Sequence, residues 1–224
     1  MAQTSKRTAE RAYKYSPEGL ALEIINKGIH DEKLLNAFTQ IDRKNFVPLE
    51  FINQAYEDEP LIIGHDQVTT QPSLIAQMVQ SLKLTGHEKV LEIGTGFGFQ
   101  TAVLALLCQK VFSIERFSDL AMVAEKNLRK VGIQNSKVVV GDGTLGLSQY
   151  APFDAIIISA AAPQVPRPLV RQLRNEGMLV QPIGKGGNEI VTLFQKLDGR
   201  LIQKEQITAA RFVPMIGTFG VGTT

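Results

Sequence analysis

The chain has 224 residues, of which 44% are hydrophobic and 21% are charged, and its 24 basic and 22 acidic residues leave a net charge of +2. This balance argues against a broad basic surface for duplex nucleic acid, whereas the length allows one deep hydrophobic core. The single cysteine, Cys108, excludes an internal disulfide and a cysteine-rich metal site, and we expect it to be buried.

The first 18 residues are polar and charged and lack the apolar segment of a secretory signal. No later stretch approaches the roughly 18 consecutive apolar residues of a membrane helix. The sequence therefore predicts a cytoplasmic protein that enters no membrane and binds no nucleic acid, with a monomer as the default state.

Up to Leu84 the spacing of the apolar residues is typical of helices. Gly19–Lys27 predicts a first helix, and Asp31 can cap the start of a second. Asn45–Ile63 contains two prolines, which predicts irregular chain with a short strand at its end. Because proline suits the first position of a helix, a third helix is predicted to begin at Pro72.

Beyond Leu84 short apolar strands alternate with helices. The predicted strands are Lys89–Ile93, Lys110–Ile114, Lys137–Val140, Phe153–Ile158 and Gly177–Pro182. The predicted helices are Thr101–Cys108, Ser118–Val131 and Pro168–Arg174. Two further strands, Glu189–Leu197 and Arg200–Ile207, predict a hairpin. Repeated strand–helix units predict an α/β fold with a doubly wound, mainly parallel, Rossmann-like sheet, preceded by N-terminal helices and extended by a C-terminal antiparallel hairpin.

A glycine-rich turn, Gly94–Gly98, directly follows the first strand of this sheet. Gly94 and Gly96 allow the backbone to approach a ligand closely, and ligands bind at this edge of open α/β sheets. The dinucleotide fingerprint needs its last glycine at position 99, which is Phe99, so a pyrophosphate cradle is not expected. The acid before the turn, Glu92, would repel phosphate but would suit a cationic ligand.

Two further acids close the next two strands. Glu115 lies 21 residues after Gly94, where an acid can accept hydrogen bonds from both hydroxyls of a ribose. Asp142 ends the third strand, where a carboxylate can accept from the amine of an adenine. Each acid taken alone could be a solvated strand end. Together with the turn, they describe S-adenosylmethionine (SAM) better than NAD.

The sequence resembles the protein-L-isoaspartate O-methyltransferase family, whose motifs it carries in the same order over about residues 30–217. The matching segments are Ile41–Pro48, Ala55–Asp58, Pro60–Gly64, Gln67–Pro72, Leu91–Gly98, Val140–Gly143, Asp154–Pro163, Pro182–Gly184 and Arg211–Pro214. The segments before the glycine turn are specific to this family, whereas the turn occurs in any class I methyltransferase. The resemblance implies a class I SAM-dependent enzyme that repairs damaged proteins and peptides by methylating the α-carboxylate of L-isoaspartyl residues.

The resemblance also implies a set of site residues. SAM would be bound by Glu92, Gly94, Thr95, Gly96, Gly98, Glu115, Arg116, Asp142 and Gly143. The isoaspartyl peptide would be bound at Val68, Thr69, Arg211 and Val213, and no metal is implied. We expect one continuous domain, in which residues 1–84 form a helical, substrate-side segment packed on a SAM-binding α/β core of residues 85–224.

Thr70 is the candidate catalytic residue. The family's usual pattern before the third helix is Gln-Thr-Ile-Ser-Gln-Pro, and here Val68, Thr69 and Thr70 take the threonine, isoleucine and serine positions. Thr70 keeps a hydroxyl that can orient the acceptor, although its extra methyl group restricts the rotamer. A carboxylate acceptor is ionised at neutral pH, so no general base is needed, and the three histidines are expected to be surface or loop residues. The same hydroxyl could instead only cap the helix that begins at Pro72.

Three alternatives stay open at this point. The chain could be a related carboxylate O-methyltransferase acting on an aspartate in a peptide, or a methyltransferase for nucleic acid or small molecules. It could also be a non-catalytic SAM-binding module in which Thr70 marks decay. The family-specific segment Ile41–Pro72 argues against the second alternative, and the intact Glu92, Glu115 and Asp142 argue against the third.

Overall fold

The computed structural model describes residues 15–222, within which six α-helices and nine β-strands follow in chain order. The helices are α1 (Pro17–Asn26), α2 (Glu32–Gln40), α3 (Pro72–Ser81), α4 (Phe99–Leu107), α5 (Ser118–Lys130) and α6 (Arg167–Gln172). The strands are β1 (Ile62–Gly64), β2 (Gln67–Val68), β3 (Lys89–Ile93), β4 (Lys110–Glu115), β5 (Ser136–Val140), β6 (Phe153–Ile158), β7 (Leu173–Ile183), β8 (Glu189–Leu197) and β9 (Arg200–Ala210). Over this range, no helix combines the length and the apolar character needed to cross a membrane.

The main sheet has seven strands in the order β5-β4-β3-β6-β7-β8-β9. The strands from β5 to β7 are parallel, and β8 and β9 join them as an antiparallel hairpin at one edge. The small hairpin of β1 and β2 is separate from this sheet. The predicted fold class is therefore confirmed. The carboxyl ends of β3, β4 and β5, which are neighbours, meet at one edge of the sheet.

Both faces of the central strands are buried, because alternate residues of each central strand enter different cores. On β3, Val90 packs into a core formed with α1 to α4, whereas Leu91 packs into a second core that includes α6. In the first core, the rings of Phe38 and Phe46 lie 5.7 and 5.8 Å from the ring of Phe99. The N-terminal helices and the sheet thus share one core. The predicted division of the domain into residues 1–84 and 85–224 stays a prediction, and residues 1–14 lie outside the described residues.

The local signals account for most element boundaries. The carboxylate of Asp31 accepts a hydrogen bond from the N–H of Leu34 at 3.0 Å, so the predicted cap of α2 is confirmed. Pro72 occupies the first turn of α3, as predicted. The predicted helix Pro168–Arg174 is wrong at its end, because Leu173 leaves the helix and pairs with Phe153 of β6 as the start of β7. Cys108 is buried, with 6% of its surface exposed.

Candidate active site

The glycine turn follows β3 and forms the floor of a small cavity. Gly94, Gly96 and Gly98 have φ angles of 92°, 55° and 92°, a left-handed conformation that favours glycine. An added Cβ at Gly96 would lie 3.1 Å from Cδ1 of Ile63, and at Gly98 it would lie 3.4 Å from Cβ of Ala124 on α5. Gly96 therefore keeps the cavity open, whereas Gly98 allows α4 and α5 to pack closely.

We call the cavity above this turn the turn cleft. It has a volume of about 60 Å³ and is lined by Phe46, Ile63, Gln67, Val68, Thr69, Thr70, Ile75, Gly94, Thr95, Gly96, Phe97, Phe99, Gln100, Glu115, Leu120, Ser159 and Val213. Thr95 is held under the turn by a hydrogen bond between its hydroxyl and that of Ser113. The cleft thus brings the predicted turn residues Gly94, Thr95 and Gly96 together with the segment that contains Thr70.

The hairpin of β1 and β2 lies over the turn cleft. Ile63 of this hairpin contacts the turn, and the ring of His65 at its tip stacks on Phe117 with 4.2 Å between centroids. His65 Nε2 also lies 2.7 Å from a carboxylate oxygen of Asp119, near the start of α5. His30, His65 and His87 are all exposed, as the sequence predicted.

Glu115 ends β4 and lines the turn cleft with an oriented carboxylate. Only 6% of the residue is exposed. One carboxylate oxygen accepts from the N–H of Gly96 at 2.9 Å, and the other accepts from the N–H of Phe117 at 3.1 Å. The carboxylate is therefore fixed relative to the glycine turn. The neighbouring Arg116 is exposed and lies with its guanidinium 5.0 Å from the ring centroid of Phe117, outside the cleft.

Asp142 and Gly143 follow β5 beside the same turn. An added Cβ at Gly143 would lie 2.4 Å from Cγ2 of Ile93, so only glycine fits against the end of β3. The Asp142 carboxylate accepts from the N–H and the hydroxyl of Thr144 at 2.8 and 2.6 Å, and from the N–H of Thr218 at 2.8 Å. Asp142 thus lies under the C-terminal segment. It lines neither the turn cleft nor the larger cavity beside the end of β9.

Glu92 is fully buried behind the cleft and does not line it. Its carboxylate accepts from Gln100 Nε2 at 2.9 Å and from the hydroxyl of Thr101. Gln100 Nε2 also donates to the hydroxyl of Ser159 at 3.0 Å, and Gln100 and Ser159 both line the cleft. The structure connects Glu92 to the cleft through Gln100, and a direct contact between Glu92 and a ligand stays a prediction from the sequence.

Burial raises the pKa of Glu92 from 4.5 to about 7. The folded protein therefore binds this proton more tightly than the unfolded chain, and the free energy of unfolding should fall as the pH rises from about 4.5 to about 7, by up to about 1.4 kcal/mol per pH unit. We expect Glu92→Gln to remove this part of the pH dependence in urea unfolding measured between pH 5 and 8. Equal slopes for both proteins would contradict the shift.

A second cavity, which we call the edge groove, has a volume of about 410 Å³ beside the end of β9. Its lining includes Thr70, Gln71 and Leu74 on one side and the run Thr208–Val213 on the other. The predicted residues Arg211 and Val213 both line this groove, and Arg211 is exposed. A chain segment could lie in it against backbone and side chains of both sides.

The turn cleft and the edge groove share five lining residues, which are Val68, Thr69, Thr70, Ser159 and Val213. Thr70 is half-buried at this junction, and within residues 15–222 its hydroxyl has no hydrogen-bond partner. The residue that caps α3 is Gln71, and no side chain at the cap position bonds to the helix. The alternative in which Thr70 only caps this helix is therefore wrong, and its hydroxyl is free to bind a ligand.

Several residues that build the site were not found from the sequence. Gln100 and Ser159 line the cleft, and Asp58 accepts from Gln71 Nε2 at 2.9 Å and from the N–H of Ser73 at 2.7 Å. Glu189, 2% exposed, accepts from the N–H groups of Gly187 at 2.8 Å and Phe212 at 3.3 Å beside the edge groove. These contacts join distant parts of the chain. Asp58 and Ser159 lie in segments that the motifs marked, whereas Gln100 and Glu189 do not.

Metal ligands are not grouped in this structure. Among residues 15–222, no cluster of three or more histidine, cysteine, aspartate or glutamate side chains could hold a metal ion.

The fold is that of the class I methyltransferases. The family model described as protein-L-isoaspartate(D-aspartate) O-methyltransferase (PCMT) matches residues 16–219. The chain belongs to the protein-L-isoaspartate O-methyltransferase family.

Relatives and solved structures support this membership. The protein-L-isoaspartate O-methyltransferase of Dictyoglomus turgidum is 42% identical over 208 residues, which cover 93% of this chain and 94% of the relative. That of Geobacter metallireducens is 43% identical over 202 residues, covering 90% and 93%. A solved protein-L-isoaspartate O-methyltransferase superposes with a TM-score of 0.80 at 28% identity, covering 91% of this chain and 67% of its own. A Plasmodium falciparum beta-aspartate methyltransferase in complex with S-adenosyl-L-homocysteine has the same fold, with a TM-score of 0.77 at 22% identity and coverage of 88% and 96%.

Proposed function

We propose that the chain transfers a methyl group from SAM to the α-carboxylate of L-isoaspartyl residues in damaged proteins and peptides. The observation that carries this proposal is the free hydroxyl of Thr70 at the junction of the turn cleft and the edge groove. A methyl donor in one cavity and a peptide in the other would meet at this hydroxyl. The relatives from Dictyoglomus turgidum and Geobacter metallireducens, which are 42% and 43% identical to this chain, are named for the same activity.

The donor end of the site suits SAM, which supplies a methyl group on a positively charged sulfur when it is bound. Glu115 has a buried, oriented carboxylate that can accept from ribose hydroxyls, and the turn at Gly94 and Gly96 leaves room for close backbone contact. Asp142 lines neither cavity, and its carboxylate accepts from Thr144 and Thr218, so its contact with an adenine amine stays a prediction from the sequence. Glu92 is connected to the cleft through its hydrogen bond with Gln100.

The turn cleft, at about 60 Å³, is far smaller than the roughly 300 Å³ or more of a small-molecule site. We therefore expect the hairpin of β1 and β2, whose Ile63 lies over Gly96, to move outward as the donor binds. This movement would break the stacking of His65 on Phe117 and its hydrogen bond with Asp119.

The acceptor end needs alignment and exclusion of water more than proton transfer. An α-carboxylate is ionised at neutral pH, and water stabilises it against reaction with a cationic donor. The Thr70 hydroxyl can donate to one carboxylate oxygen and turn the other toward the methyl group. Val68 and Val213 line both cavities and can keep water from the junction. Orientation of this kind can supply up to about 7–11 kcal/mol in favourable cases. After methylation, the amide nitrogen of the next residue attacks the ester carbonyl and expels methanol, which gives a succinimide whose hydrolysis returns some normal aspartate.

The proposal is tested with methyl-labelled SAM and a pair of peptides that differ only in one aspartyl or isoaspartyl linkage. We expect label in the isoaspartyl peptide alone, released as methanol by mild base. Label in the aspartyl peptide would favour a related carboxylate methyltransferase, and SAM binding without transfer to either peptide would favour a non-catalytic module. Either result would overturn the proposal.

The finer statements about the setting of this activity rest on the sequence alone. A monomeric state, a cytoplasmic location and the lack of nucleic-acid and membrane partners stay predictions. Light scattering of the purified chain measures the first of them directly.

A further inference from the structure

Arg43 is a buried charge near the site that the proposed reaction does not use. It is 1% exposed and donates four hydrogen bonds. Nη1 donates to the carbonyls of Ala55 and Glu57 at 3.2 and 2.8 Å, and Nη2 donates to the carbonyl of Glu59 and the hydroxyl of Thr69, both at 3.0 Å. Burial lowers the pKa of Arg43 to about 10, so it stays charged at neutral pH, where such hydrogen bonds are strong.

The hydroxyl oxygen of Thr69 accepts the hydrogen bond from the Arg43 guanidinium. The same oxygen also accepts from the N–H of Leu61 at 3.0 Å. The N–H of Thr69 donates to the carbonyl of Leu61 at 2.7 Å. The hydroxyl of Thr69 is therefore bonded on the protein side, although Thr69 lines both cavities. Its side chain is held by two donors from different parts of the chain.

The other end of the same short segment is held by Asp58. One carboxylate oxygen accepts from Gln71 Nε2 and the other from the N–H of Ser73, in the first turn of α3. Arg43 binds the carbonyls of Glu57 and Glu59, which flank Asp58 in sequence. One buried arginine thus connects both attachments of the segment 69–73.

Thr70 stands between these two attachments, and among residues 15–222 its hydroxyl has no hydrogen-bond partner. Because its neighbours on both sides are fixed, the backbone can direct the Thr70 side chain toward the junction without any bond to its own hydroxyl. We infer that Arg43 and Thr69 are positioning residues, which act through the backbone to hold the Thr70 hydroxyl at the point where the two cavities meet. The expected loss of kcat rests on the proposed function. The expected change in hydrogen exchange of the segment does not.

The test compares Thr69→Val, which keeps the shape of the side chain but removes the acceptor, with Thr69→Ser, which keeps the acceptor. Thr39→Val is the matched control, because the hydroxyl of Thr39 bonds only to the carbonyl of Asn36 on α2, away from both cavities. The measurements are kcat and KM for an isoaspartyl peptide, the Kd for S-adenosyl-L-homocysteine, and hydrogen exchange of the amides of residues 69–73.

We expect Thr69→Val to lower kcat by tenfold or more, since misplacement by about 1 Å can cost roughly 100-fold. The Kd for S-adenosyl-L-homocysteine should change by less than about threefold, and exchange at residues 69–73 should rise. Thr69→Ser should restore most of kcat, and Thr39→Val should match the parent chain. Unchanged kcat in Thr69→Val, or equal loss in the serine variant, would overturn the inference. Should the parent chain methylate no isoaspartyl peptide, the proposed function fails, and unchanged exchange in Thr69→Val would then separately overturn the positioning role.

Discussion

Replacement of Thr70 by alanine is expected to lower kcat for an isoaspartyl peptide by about 100-fold, because the acceptor carboxylate loses the hydrogen bond that orients it, and misplacement by about 1 Å can cost roughly 100-fold. The hydroxyl of Thr70 has no partner within residues 15–222 and lies where the turn cleft and edge groove meet. The Kd for SAM, measured by calorimetry, should stay within about threefold, since Glu115 and the glycine turn are untouched.

The two controls for Thr70 separate the effect of the hydroxyl from the effect of the methyl group. Thr70→Ser should retain most of the activity, whereas Thr70→Val, which matches threonine in shape, should behave like alanine. Loss of activity in Thr70→Ser together with retained activity in Thr70→Val would assign the effect to packing, and full activity in Thr70→Ala would remove this residue from the mechanism.

Replacement of Glu115 by alanine should weaken SAM binding by about 100-fold or more. A carboxylate that accepts from two ribose hydroxyls makes charge-assisted hydrogen bonds, each contributing about 1.5–3 kcal/mol, and every 1.4 kcal/mol is a factor of ten in Kd. The same carboxylate also holds the N–H groups of Gly96 and Phe117, so the variant loses the fixed shape of the turn. Calorimetric titration with S-adenosyl-L-homocysteine measures the effect without turnover.

The matched control for Glu115 is Glu125→Gln, which removes one acid from the outer part of α5. Glu125 lies 3.7 Å from Arg129 in an exposed pair, and such pairs contribute little to stability. Its Kd should equal that of the parent chain. If Glu115→Ala bound S-adenosyl-L-homocysteine as tightly as Glu125→Gln, the ribose contact would be excluded.

The sequence patterns predicted the parallel core of the fold well because its elements are long and strongly patterned. Strand β3 was predicted at its observed ends, and so were β6 and β8, since continuous apolar runs bounded by turns mark buried strands. The boundary between α6 and β7 was missed. Leu173 could continue a helix by its own preference, and only its pairing with Phe153 in the sheet makes it a strand residue.

The candidate site could be predicted where sequence order fixes position in space. Glu115 and Asp142 end neighbouring parallel strands, so topology alone brings both to the edge that contains the glycine turn. The direction of a side chain is not fixed in this way. Glu92 points into the core toward Thr101, and Asp142 receives the N–H of Thr218 from the far end of the chain.

The departure from the family pattern at residues 68–70 was visible in the sequence, but its meaning was not. Thr69 turns its hydroxyl to Arg43, a contact between residues 26 positions apart that no local spacing indicates. The neighbouring Val68 is 42% exposed and lines both cavities. Which of two adjacent residues faces the protein and which faces the ligand depends on the hairpin of β1 and β2, whose register is set by tertiary contacts.

The most direct measurement is a crystal structure of the chain with S-adenosyl-L-homocysteine and an isoaspartyl peptide. We predict the sulfur in the turn cleft pointing at the isoaspartyl α-carboxylate in the edge groove, with the Thr70 hydroxyl about 2.5–3.0 Å from a carboxylate oxygen. A structure in which nucleoside and peptide occupy sites that do not meet at Thr70 would contradict this account.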